Sequence, residues 1–248
     1  MPSVLFGMPV GTYATISPRT WMWLSNEMAS LNSIGVRTNV FTIRDVPVDR
    51  AREIIIESAL RDNYDYVFFI DSDVVPQPGV VSMALRLRLP FVCIPYPLKI
   101  GVLSVYLFDE RNRIVRPVEP QTLKQLMSNR WGMFVDACGL GAALIDTYIF
   151  KKMPKPWFRF AREEYVHVQT LDKITVEYNE DVYFCLEVKR RLGIQPYVLP
   201  TPAHHELLPG LSLDPLDPTR VVIPMERLDF VPLYEQMKRQ EQQSQQSP

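Results

Sequence analysis

Nowhere in these 248 residues do about 18 apolar residues follow one another, so no membrane-spanning helix is encoded. Met1 to Val10 lack a basic segment and a long apolar core, and no export signal is expected. Cysteine is scarce. Cys93, Cys138 and Cys185 stand far apart, without the close spacing of a zinc ribbon or a disulfide framework, which points to reduced thiols in a cytoplasmic setting. Each reads as a small core residue. An excess of either charge is missing too. With 27 basic and 28 acidic residues the net charge is −1, which removes the overall electrostatic case for nucleic acid or an anionic membrane surface. Phosphate, if bound, must be met by a local site. No internal repeat is present.

Apolar residues and proline are abundant. A hydrophobic content of 47% is ample for the core of one large α/β domain or two small ones. The 22 prolines gather in loops and in the second half, which favours short, stiff connections.

Local patterns give an order of elements. Val4 to Met8 reads as a strand; Ser17 caps a helix with Pro18 at its first position, Trp21, Leu24, Met28 and Leu31 fall at helical spacing, and Gly35 is the stop. Val36 to Ile43 is a second strand. Asp49 caps a helix to about Leu60 with Ile54, Ile55 and Ala59 inward, and Tyr66 to Ile70 is a third strand. This β-α-β-α-β order implies a parallel sheet with right-handed crossovers. Further on, Val80 to Leu87 reads as a helix, Phe91 to Tyr96 as a strand, and Val102 to Phe108 with Ile114 to Pro117 as a hairpin closed by residues 109–112. Gly139 to Ala143 would let a backbone or ligand approach closely; Asp146-Thr147 starts a short helix, and Pro154 to Phe158 form an aromatic loop. Asn179 begins a helix that ends at Gly193, and Ile194 to Leu199 is a last strand. The proline-rich segment from Glu206 to Pro224 reads as loop, and Leu228 to Met237 as an amphipathic stretch. Its apolar residues suit core packing, with a membrane-surface or homodimer contact as alternatives.

The most informative segment is Tyr64 to Pro78, where a buried, uninterrupted apolar run meets Asp71-Ser72-Asp73, and Pro76 and Pro78 then end regular pairing. With 14 aspartates in the chain, random order would place about one such pair, so the pattern alone is weak. Its position is not. The carboxyl end of a central strand is where open α/β sheets collect ligands. On an extended backbone the two aspartates would share a face, roughly 6 to 7 Å apart at Cα, and could hold one hard cation with its ligand. Pro9 and Thr12 in the first loop, and Arg52 in the first turn of its helix beside free backbone amides, come to the same edge, where Arg52 suits a phosphate oxygen.

Four features recur in order: Phe68-Phe69-Ile70-Asp71-Ser72-Asp73; Cys138-Gly139-Leu140-Gly141-Ala142-Ala143 before a short helix and Trp157-Phe158; Asn179-Glu180-Asp181; and His204-His205 past the next strand. Together they resemble the GT-A glycosyltransferases, especially inverting, family-2-like enzymes that use nucleotide-diphospho-sugars. The resemblance spans roughly residues 3–206. It implies an α/β fold of GT-A, Rossmann-like kind, with a mixed, mainly parallel sheet flanked by helices. It also assigns roles. Asp71 would face the donor's ribose or metal shell, Asp73 would bind metal directly, and His204 or His205, with His204 favoured, would add a ligand. Arg52 would lie near the nucleotide, Pro9 and Thr12 beside the base, Gly139 and Gly141 under the sugar, and Trp157 would offer an apolar platform. Asp181 would be the general base, kept ionised by the helix dipole, with Glu180 beside it. The mixed nitrogen and oxygen ligand set leans to Mn²⁺ over Mg²⁺.

The donor would be a UDP- or GDP-sugar, and the acceptor a hydroxyl on a glycan, lipid, protein or modified base. A Gln-x-x-Arg-Trp motif after the base helix is absent, which disfavours a processive polymer synthase. Two rivals remain: a haloacid-dehalogenase-type phosphatase using Asp71 and Asp73, whose motif normally lies on a first strand, and a GT-A-shaped binding protein without turnover. The expected organisation is one catalytic domain over 1–235, with a nucleotide-binding half at 1–100, an acceptor-side half at 101–210, and a C-terminal loop and helix at 211–235. A disordered tail at 236–248 follows, and the expected location is cytoplasmic, with peripheral contact at the inner membrane surface as a variant.

Overall fold

A computed structural model describes residues 2–109, 114–129, 132–166, 173–208, 211–214 and 216–222. The expected hairpin closure at 110–112, the amphipathic stretch at 228–237 and the tail at 236–248 lie outside the described residues. The opening order is as expected: β1 (Ser3–Val10), α1 (Pro18–Ser33), β2 (Arg37–Arg44), α2 (Val48–Arg61) and β3 (Tyr66–Ile70), with β1 parallel to both β2 and β3. Then come β4 (Val74–Val75), α3 (Val80–Leu87), β5 (Phe91–Cys93), β6 (Val105–Asp109), β7 (Ile114–Pro117), α4 (Pro120–Asn129), β8 (Met133–Phe134), β9 (Ala137–Cys138) and β10 (Ala142–Asp146). The chain continues through α5 (Thr147–Lys152), the hairpin β11 (Ala161–Val166) and β12 (Lys173–Tyr178), α6 (Glu180–Leu192), β13 (Tyr197–Val198), β14 (His204–Leu208), β15 (Leu211–Asp214) and β16 (Asp217–Val222).

Seven strands form the central sheet in the order β2-β1-β3-β10-β5-β13-β8. β10 runs antiparallel to β3 and β5, and β8 to β13, while the other five share one direction. The sheet is therefore mixed and mainly parallel, flanked by helices, as expected. Period-2 alternation builds both faces. Val4, Phe6, Met8, Phe68 and Ile70 pack against Trp23, Leu24 and Leu31 of α1 and Val80, Val81 and Ala84 of α3. Leu5, Val67 and Phe69 pack against Ile55, Ile56 and Ala59 of α2, Ile149 and Phe150 of α5, and Phe184 of α6. Each fully buried side chain of this size contributes about 1.5–3 kcal/mol. Among the described residues no helix is long and apolar enough to cross a membrane.

Local signals hold at several ends. Ser17 accepts hydrogen bonds from the amides of Arg19 and Thr20, Asp146 accepts from Tyr148, and Gly193 closes α6 in the left-handed region. Others differ. Trp21 is 48% exposed while Trp23 is 3% exposed and enters the core, because the stripe Thr20-Leu24-Glu27-Leu31 faces the sheet and Trp23 shares it. α2 starts at Val48 after Pro47, with Asp49 inside its first turn and no side-chain cap. The segment expected as loop after Glu206 instead supplies the end of β14 and all of β15 and β16, and these three strands join β4 in a four-stranded sheet. Val74 and Val75 resume pairing there, on His205 and His204, before the prolines stop it.

Candidate functional site

β3 ends at Ile70, and the Asp71 amide still donates to the Gly141 carbonyl at 2.9 Å. The chain then turns: the Val74 amide donates to the Asp71 carbonyl at 3.2 Å. Asp71 to Asp73 is thus a turn, in place of the extended segment expected, because β4 must leave the central sheet to pair with β14. The two carboxylates consequently meet different partners.

Asp71 faces inward. Its Oδ1 lies 3.5 Å from Nη2 of Arg52, and Nη1 of Arg52 pairs with Glu180. Arg52 is 3% exposed and Glu180 5%, so this is a buried ion pair between α2 and α6. Burial opposes the Arg52 charge, yet Asp71, Glu180 and Asp181 outweigh it and hold its pKa above the ordinary value. Burial also pushes the Asp71 carboxyl up, against the pull of Arg52. Arg52 is therefore committed to carboxylates, and a phosphate oxygen would have to displace one of them. Asp181, beside Glu180 in the first turn of α6, accepts a hydrogen bond from the Val182 amide at 2.7 Å. Burial first, and Glu180 next, push its carboxyl up to about 6, against Arg52 and the amide. The helix dipole expected to keep it fully ionised is overcome by desolvation and a like charge.

Asp73 faces the other way. Its Oδ2 lies 2.8 Å from Lys99 Nζ and 3.2 Å from His205 Nε2. Burial works against its charge, but the His205 hydrogen bond and Lys99 prevail and hold the carboxyl at about 2. His205 is held on its other side, with Nδ1 2.7 Å from the Pro97 carbonyl, and its ring meets Tyr96 edge-on at 5.7 Å. A carbonyl can only accept, so Nδ1 donates to Pro97, and the Nε2 edge of the ring is thereby turned toward Asp73. Alternation along β14 sends His204 to the opposite face. His205 is thus the histidine beside Asp73, whereas the sequence favoured His204.

The floor between these groups is glycine. A Cβ on Gly141 would collide with Asp71 Oδ2 and lie 2.6 Å from the Tyr96 hydroxyl, and one on Gly139 would lie 2.5 Å from that hydroxyl. Tyr96, 3% exposed, accepts the Gly141 amide proton at 3.0 Å. Sequence reading passed over Tyr96 and Lys99. The available signal was their place just past β5, at the ligand-collecting edge, with an aromatic carrying a polar handle and a lysine around Pro97.

Pro9 is the penultimate residue of β1, in register with Ile43, and Thr12 is exposed in the turn beyond Val10, on the same edge. Trp157 is elsewhere. It is 4% exposed, its ring packs on Phe150 at 5.5 Å, and its Nε1 donates to the Phe150 and Met153 carbonyls, each at 3.1 Å. It is a core residue and offers no platform to a ligand, because the Pro154 to Phe158 loop folds under α2, where Glu53 accepts the amides of Trp157 and Phe158. Among the described residues no group of three or more His, Cys, Asp or Glu side chains converges to hold a metal. Asp73 and His205 present one oxygen and one nitrogen to the same space. By its chemistry that pair is a partial ligand set for a divalent ion, and the described residues add no third protein ligand.

Likeness to solved structures bears on the fold. The chain is similar to A197 from STIV, at 22% identity and a TM-score of 0.57, over 90% of this chain and 94% of that one. This shared fold says nothing by itself about chemistry. Fainter overlaps, which carry no argument, are with a Drosophila β-1,4-galactosyltransferase 7 mutant in complex with manganese, UDP-Gal and xylobiose and with a glycosyltransferase involved in glycosylation of the major capsid of PBCV-1. The first has 13% identity, a TM-score of 0.41 and coverage of 80% and 65%; the second has 13% identity, 0.31, and 63% and 70%. No protein-family model matches the chain, and no curated protein matches it.

Proposed function

We propose that this protein is a metal-dependent glycosyltransferase that moves a sugar from a nucleotide-diphospho-sugar to a hydroxyl acceptor with inversion. The observation that carries this reading is the convergence, at the carboxyl edge of one sheet, of an ionised Asp73 beside His205, a glycine floor, and Asp181 with its carboxyl at about 6. Each part has a task. Asp73 and His205 would hold the divalent ion, Mn²⁺ before Mg²⁺, which when bound supplies positive charge against the leaving diphosphate. Gly139 and Gly141 let Tyr96 and Asp71 pack directly on the backbone, and that close-packed floor would lie under the transferred sugar.

Asp181 takes the proton of the acceptor hydroxyl. A carboxyl near 6 is largely ionised at neutral pH yet is a far better proton acceptor than one near 4, which is what general base catalysis needs. Glu180 and Arg52 act on Asp181 by fixing the helix terminus and the local charge. Inversion requires the base and the diphosphate on opposite faces of the sugar, so in this reading Asp181 would lie across the sugar from Asp73. Binding of UDP, GDP and dTDP, measured calorimetrically with and without Mn²⁺, tests this without knowledge of the acceptor. One diphosphate should bind in the micromolar range, more tightly with Mn²⁺; no binding of any in either condition would overturn the reading.

A further inference from the structure

The loop after β5 holds a cation over Asp73 that the reaction above leaves unused. Pro97 and Leu103 form an antiparallel bridge, and the Leu98 amide donates to Val102 O at 2.7 Å. The Gly101 amide donates to Leu98 O at 2.9 Å, with Gly101 at a φ of 83°, the left-handed region that favours glycine. This tight turn carries Lys99 to within 2.8 Å of Asp73 Oδ2. Its Pro97 carbonyl also orients His205, whose Nε2 lies 3.2 Å from that oxygen. One backbone turn therefore sets two nitrogen groups on one carboxylate oxygen.

An ammonium and a divalent ion on one carboxylate oxygen repel, so an ion held at Oδ2 would favour release of Lys99 from it. Release costs little: the Lys99 side chain is 52% exposed, and a screened ion pair of this kind is weak. A diphosphate arriving beside Asp73 carries more negative charge than the carboxylate and several strong acceptors, and a lysine on a flexible stem serves such a group as a movable point charge.

We propose that Lys99 is a diphosphate-binding residue, whose ammonium rests on Asp73 in the free protein and transfers to the nucleotide's phosphate oxygens on binding, supplying affinity that needs no metal. This rests on the nucleotide-sugar reading. The test is calorimetric titration of the full chain with UDP, GDP, dTDP and inorganic pyrophosphate, in EDTA and in Mn²⁺, for wild type, Lys99→Met and Lys99→Arg, with thermal melts to confirm folding. Wild type should retain weakened nucleotide and pyrophosphate binding in EDTA. Lys99→Met should lose at least tenfold in EDTA and less in Mn²⁺, and Lys99→Arg should keep most of the affinity. If wild type binds a nucleotide in Mn²⁺ but nothing in EDTA, or Lys99→Met binds as wild type does in EDTA, the role of Lys99 is overturned and the functional reading stands. If nothing binds to wild type in either condition, the functional reading itself fails.

Discussion

Glu180 and Asp181 are neighbours in one helical turn and have opposite duties. Glu180 is buried against Arg52, whereas Asp181 forms no ion pair among the described residues and takes the cost of burial in its pKa. Because the base must be ionised and its carboxyl sits at about 6 instead of 3.8 in the free protein, kcat/KM should fall about tenfold per pH unit below 6 and level off above it. A kcat/KM profile flat down to pH 5 would remove Asp181 from the role. Asp181→Asn should leave nucleotide affinity nearly unchanged and lower transfer by about 10²–10⁴-fold, the usual range for a lost general base. Gly141 is as demanding. Gly141→Ala drives a methyl into Asp71 and Tyr96, so nucleotide affinity and melting temperature should both drop, while Tyr96→Phe, losing one acceptor, should cost only about 1 kcal/mol in urea unfolding. Equal melting temperatures for Gly141→Ala and wild type would show that the floor gives way.

At the scale of elements, α2 is the informative one. Its periodicity marks Ile54, Ile55 and Ala59 as core; Ile55 and Ala59 are, whereas Ile54 is only half-buried and Ile56 is buried beside Ile55, and the helix also buries Arg52 and Glu53, which no hydrophobic pattern marks. Arg52 tolerates that place because α6 brings Glu180 to it. Arg52→Met should therefore cost about 3–5 kcal/mol in denaturant unfolding by leaving Glu180 charged, buried and alone, and adding Glu180→Leu should recover most of the loss. Additive losses in the double variant would mean the two residues do not pair. Elements with strong local signals, such as Ser17 before α1, Asp146 before α5 and Gly193 after α6, were legible in advance. α4, the β11–β12 hairpin and the β14–β16 strands were not. Short polar-alternating strands among prolines become strands only when an edge is offered, and β4 is an edge that exists only after the Asp71 turn.

The whole molecule is tied across its length at Glu206. Its side chain accepts from the Ser17 hydroxyl and pairs with Arg19 at 3.0 Å, and its amide donates to the Asp73 carbonyl at 2.8 Å. The Ser17 amide in turn donates to the Ser72 carbonyl at 2.8 Å. The start of α1, the aspartate turn and the C-terminal sheet thus form one hydrogen-bonded unit. Ser17→Ala removes both the helix cap and this contact, so a stability loss of about 1–2 kcal/mol is expected, together with weaker nucleotide binding, since Asp73 hangs from the same turn. Loss of stability with unchanged affinity would separate the latch from the site.

Sequence by itself determined the opening β-α-β-α-β order, the edge at which the candidate site lies, and the residue types gathered there, because alternation, helical spacing and capping act over a few residues. Only the tertiary structure decided which histidine faces Asp73, that Arg52 belongs to Glu180 across 128 residues, that Trp157 is core, and that Lys99 rests on Asp73. Those outcomes depend on strand register and helix placement between distant segments, where a shift of one residue exchanges the faces of a strand.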